Sequence, residues 1–74
     1  MNNARRKEIA EIVTIIRGAH NRLTEVMEAE QEAFDNLPEG FQASERGENM
    51  EEAISTMEEA MNDIEMAVDS IEML

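Results

Sequence analysis

The chain has 74 residues, no cysteine and a formal net charge of -12. That length allows one small domain, close to the lower limit for a self-sufficient core, and without cysteine no disulfide or thiolate metal site can brace it. Phe34 and Phe41 are the only aromatic residues, so the apolar content is aliphatic side chains, alanine and seven methionines, and no basic stripe with stacking aromatics exists for direct nucleic-acid binding.

The N-terminal run Met1-Asn2-Asn3-Ala4-Arg5-Arg6-Lys7 is basic, but the apolar positions after it are broken by Glu8, Glu11 and Arg17. This is not the apolar core of a signal peptide, and no apolar run approaches the roughly 18 residues of a membrane span. The expectation is a soluble protein of a reducing cytoplasm, with no membrane contact. So acidic a chain with so few aromatics raises the question of disorder, and apolar periodicity answers it. With Ile9 at heptad position a, Ile16 and Leu23 follow at a, and Ile12, Ala19, Val26 and Ala33 fall at d. Val13, His20, Met27 and Phe34 fall at e. An a/d/e stripe marks an amphipathic helix, expected over residues 3–35. Gly18, at c, softens it by about 1 kcal/mol relative to alanine.

Residues 36–44 carry the breakers. Pro38 pushes Leu37 away from helical geometry, and Gly40 supplies a permissive backbone. Asn36 with Glu39 could cap one short helical turn. Ser44 is the expected N-cap of a second helix over 45–73, with Glu45 and Glu48 where the helix dipole favours negative charge. In this helix Met50, Met57, Ile64 and Ile71 occupy a, and Ala53, Ala60, Ala67 and Leu74 occupy d. Ile54, Met61 and Val68 occupy e.

The fold class is therefore all-α: two long helices in an antiparallel hairpin, forming one domain over residues 1–74. Folding back at Gly40 pairs residues whose numbers sum to about 80. Ile9 then meets Ile71, Ile16 meets Ile64, Leu23 meets Met57 and Ala19 meets Ala60. The same register sets Arg17 near Asp63 and Arg22 near Glu58. An a/d seam would satisfy two helices, so the e residues, with Ile15, Met66 and Met73, make the apolar face too broad for one copy. Self-association into a four-helix bundle or higher oligomer follows, through Ile9, Ile12, Val13, Ile16, Leu23, Met27, Phe34, Ile54, Met57, Met61, Ile64, Val68 and Ile71. A third short helix around Phe41, folded over the seam, is the monomeric alternative.

No phosphate-cradling loop, metal spacing or nucleophile motif is present. One histidine and no cysteine leave no dyad, and neighbouring acids such as Glu51 and Glu52 diverge on a helix. No enzyme, metal or cofactor is expected, and His20 reads as a structural side chain. Acid gathers in residues 25–52, opposed there only by Arg46. In a hairpin this forms an acidic pole, with Glu30, Asp35, Glu39, Glu45, Glu48, Glu51 and Glu52 as candidate contacts for a basic protein surface. Glu30 stands at an a position, facing Met50. The plain alternative is that the acid maintains solubility. A third reading uses Arg5, Arg6, Lys7, Arg17, Arg22 and Arg46 to hold the phosphates of a small nucleotide between subunits, as a sponge, against the overall charge.

The run EAEQEAFDNLPEGFQASERGENMEEAISTMEEA, Glu28–Ala60, resembles short acidic, uncharacterised helical proteins of phages and prophages. The likeness lies in AFDNLPE, in SERG before the second helix, and in the acid-acid-Ala register after it. The resemblance implies a phage gene product acting in a bacterial cytoplasm, as an inhibitor of a host or antiviral-defence factor; the nucleic-acid-mimic form of that reading rests instead on the carboxylates along the rod, which can imitate a row of phosphates. The resemblance assigns no functional residues.

Overall fold

The computed structural model describes all residues, 1–74, as a hairpin of two long helices, α1 (Asn3–Asp35) and α2 (Glu45–Glu72). The ends of both helices follow local chemistry. Asn2 caps α1, its side-chain oxygen accepting from the Arg5 amide at 2.9 Å. At the other end Asn36 is still near helical geometry, and its amide donates to Glu32 O at 3.0 Å. Pro38 then opens a run of turns in which Phe41 N–H donates to Pro38 O and Ser44 N–H to Phe41 O. Gly40 has φ +91, a backbone state that side chains resist. Ser44 caps α2 as expected, its Oγ accepting from the Gly47 amide at 3.3 Å. Residues 36–44 form no third helix, and Phe41 stays exposed.

The rod measures 58 × 15 × 12 Å. Its radius of gyration is 17.2 Å, against about 11 Å for a compact domain of this length. The buried apolar side chains are Val13, Ile54 and Val68, all at e positions. Around them the a residues Ile9, Ile16, Leu23, Met50, Met57, Ile64 and Ile71 are half-buried, with Met27, Phe34 and Met61 at e. The seam is thus an a/e seam, which corrects the expected a/d one. Side-chain volume explains the choice. The e row carries Val, Met, Phe and Ile, whereas the d row is mostly alanine, so closing on a and e buries more apolar area.

Two further expectations change. Arg17 pairs with Glu72, not Asp63, and Arg22 makes no ion pair with Glu58. Arg6 with Leu74 keeps the sum of 80, whereas Thr24 with Met61 and His20 with Glu65 stand somewhat past it. Direction matters more than register. Arg17 and Glu72 both lie at b, on one side of the seam, whereas Asp63 and Arg22 lie at g, on the far side of their helices. Ala19, expected to face Ala60 in the seam, is exposed.

Gly47 has a role the pattern did not announce. It is buried at an e position, and a Cβ there would stand 2.1 Å from Gln42 O and 2.7 Å from Phe41 O. The turn backbone crosses the first turn of α2 at this point, and only glycine leaves room for it.

Candidate functional surfaces

With a and e turned inward, d and b lie about 80° to either side of the seam at 100° per residue. Because the helices run antiparallel, the two d rows share one flank of the hairpin and the two b rows share the other. The grooves follow this division. Glu30, Arg46 and Ala53 line one groove on the d flank near the turn. Arg17, His20, Glu65 and Asp69 line another on the b flank.

The d flank is apolar along most of its length. Helix α1 contributes Ile12, Ala19, Val26 and Ala33, with Ile15 and Ala29 beside them at g; all are exposed. Ile12 is 44% exposed, Val26 57% and Ile15 71%. Helix α2 contributes Ala53, Ala60, Ala67 and Leu74 to the same flank. Arg5 and Arg46 occupy the first d position of each helix. Of the thirteen residues expected to mediate self-association, Ile12 alone is classed as exposed; Val13, Ile54 and Val68 are spent on the seam within one chain. Ala19, Val26 and Ala33, omitted from that set, are open to solvent. Their 3–4 spacing with Ile12, Ile15 and Ala29 was the signal available in the sequence.

The b flank is polar. Helix α2 lines it with Glu51, Glu58, Glu65 and Glu72, opposite Ala10, Arg17, Thr24 and Gln31 of α1. Arg17 and Glu72 form an exposed ion pair. His20 Nε2 stands 3.2 Å from Glu65 Oε1, off the line a hydrogen bond requires, and this buried nitrogen has no hydrogen-bond partner in the chain. Thr24 Oγ1 donates to His20 O at 3.0 Å and also reaches Met61 Sδ across the seam at 3.8 Å.

The acidic residues named in the sequence do gather toward the turn. Glu30 is half-buried and shares its groove with Glu45, Arg46, Asn49 and Met50. Asp35, Glu39, Glu45, Glu48, Glu51 and Glu52 are exposed there. They form one end of the rod without converging on a point. The six bases are more dispersed. Arg6 donates to Leu74 O at 2.8 Å and Arg17 is paired with Glu72, both near the open end, whereas Arg46 lies at the turn end. No single chain brings them together around a phosphate. Nor do three acidic or histidine side chains meet as metal ligands would. No helix is long and apolar enough to cross a membrane.

Comparison with protein-family models, curated proteins and solved structures finds no match to this chain.

Proposed function

We propose that this chain is a non-enzymatic binding protein that associates with copies of itself into a helical bundle and offers its acidic surface to a basic surface on another protein. The observation that carries the reading is one rod that bears an exposed apolar row along the d flank and a concentration of carboxylates toward its turn end. Exposed apolar rows at coiled-coil spacing are what one helical surface offers another. Concentrated carboxylates steer a basic partner and speed its association.

The charge density of α2 supports the narrower form, a nucleic-acid mimic. Its 28 residues span about 42 Å at 1.5 Å per residue. Ten of them are Asp or Glu, one per roughly 4 Å, near the phosphate spacing of about 3.4 Å along one DNA strand. The resemblance of Glu28–Ala60 to phage and prophage proteins supports a host or antiviral-defence factor as the target.

The test is capture from bacterial lysate at low and high salt, with the wild-type chain and a variant carrying Gln at Glu45, Glu48, Glu51 and Glu52. The reading expects one partner held at low salt, released at high salt, and lost by the variant while its helicity persists. A partner held equally by both chains contradicts the electrostatic reading. The apolar flank favours a second reading, in which self-association is itself the function. Under that reading assembly persists and no acid-dependent partner is found.

A further inference from the structure

We infer that a second copy of the chain covers the d flank, with the two hairpins antiparallel, so that the basic N-terminal turn of each lies beside the acidic turn end of the other. This rests on the self-association proposed above and adds its face and its direction.

Area argues for the second copy. A compact protein of 8.4 kDa exposes about 4,600 Å² by the scaling of surface with mass. This chain exposes 5715 Å². The excess, roughly 1,100 Å², exceeds the approximately 800 Å² that each partner gives to a standard interface. Ile12, Val26 and Leu74, with Ile15 beside them, make the d flank the longest continuous apolar row, whereas Met66 and Met73 stand at c on the outer face; a two-fold axis needs just one self-complementary patch.

Side-chain size fits the arrangement. Placing two copies of α1 antiparallel about the middle of their d rows sets Ile12 opposite Ala33 and Val26 opposite Ala19. Each large residue meets a small one, as interlocking layers require. The same axis passes near Ala60 of α2, since Thr24 and Met61 share that cross-section of the hairpin. Ala53 then faces Ala67, and a row of alanines lets the two α2 helices approach closely.

Charge selects the direction. Residues 25–52 hold ten acids against Arg46 alone, whereas residues 1–24 hold five bases against Glu8 and Glu11. A parallel pair would set two acidic turn ends side by side. The antiparallel pair sets Arg5 beside Asp35 and Glu39 of the second copy, and Arg46 beside the second copy's α2 C-terminus, the negative end of its dipole. Helix α1 carries independent support. It has no acid in its first turn and no base in its last, and Arg5, Arg6 and Lys7 crowd the positive end of its dipole. That order opposes the helix that bears it. It is favourable against the end of another hairpin, and Arg5 and Lys7 form no ion pair within their own chain.

The chain has no cysteine, so Glu39→Cys carries a single spin label at the turn. Sedimentation equilibrium at tens of micromolar is expected to give twice the 8.4 kDa chain mass. A monomer at that concentration overturns the self-association and this inference together. In the dimer, the distance between labels is expected to approach the 58 Å length of the rod. A distance near the width of two helices, roughly 20–25 Å, overturns the antiparallel direction and leaves self-association standing. The double substitution Ile12→Glu and Val26→Glu, at positions exposed in the single hairpin, is expected to halve the mass and keep the helicity. A dimer of unchanged mass overturns the choice of face. Gln31→Glu, on the b flank, is expected to leave the mass unchanged. The label distance is read on a chain whose d flank is intact, so it decides the direction even if the double variant unfolds.

Discussion

The d flank and the b flank of the hairpin belong to the same two helices and lie at the same angle from the same seam, yet they solve opposite problems. On the b flank, α2 presents Glu51, Glu58, Glu65 and Glu72, and the cross-helix contacts are polar: Arg17 with Glu72, and His20 beside Glu65. Water satisfies that flank. On the d flank, Ile12, Ala19, Val26 and Ala33 face solvent next to Ala53, Ala60, Ala67 and Leu74. Apolar area left in water is a standing loss of about 25 cal/mol per Å², which a further helical surface would recover. The difference teaches that an amphipathic stripe wider than one seam need not be wasted in a hairpin. Its longest continuous row falls on one side, and only Met66 and Met73 are left on the outer face of α2.

Substitutions that separate seam from flank give the sharpest contrast. Ile54→Ala, in the seam, is expected to lose about 2–5 kcal/mol of stability, measured by thermal or urea unfolding followed by circular dichroism. Ile12→Ala, on the d flank, is expected to change the stability of the dilute chain by no more than about 0.5 kcal/mol. Equal losses would mean that the two rows are not used differently. Gly47→Ala comes next, at about 1–3 kcal/mol, because the new Cβ meets the Gln42 carbonyl. Gly18→Ala has the opposite sign. Gly18 has open space around its Cβ position, so alanine should stabilise α1 by about 1 kcal/mol. The b flank is the least sensitive. A double-mutant cycle on the exposed Arg17–Glu72 pair is expected to give about 0.2–1 kcal/mol, declining with added salt.

Much of this architecture was legible in the residues. Period-3.6 apolar rows, Pro38, Gly40 and the Ser44 cap set the helix limits almost to the residue, and α2 ends at Glu72 where the pattern suggested 73. The inward rows were harder to read, because a, d and e are all apolar and periodicity weighs them alike. Volume was the missing criterion: Val13, Phe34, Ile54, Met61 and Val68 at e outweigh the alanines at d. Ion pairing failed for a related reason. Matching Arg17 to Asp63 by residue number ignored that the two leave their helices on different sides. Gly47 was invisible for a third reason. Its constraint comes from the path of residues 41–42 across α2, a tertiary fact that local sequence does not carry.

The central claim is that the d flank is open in one chain and closed by another. Methyl resonances of Ile12 and Val26, read for relaxation by a soluble paramagnetic probe, test it across a dilution series. The account predicts that at high concentration both methyls become as protected as those of Val13 and Ile54, and that they grow sensitive to the probe on dilution while the seam stays shielded. Ile12 and Val26 equally exposed at every concentration, in a folded hairpin, would contradict it.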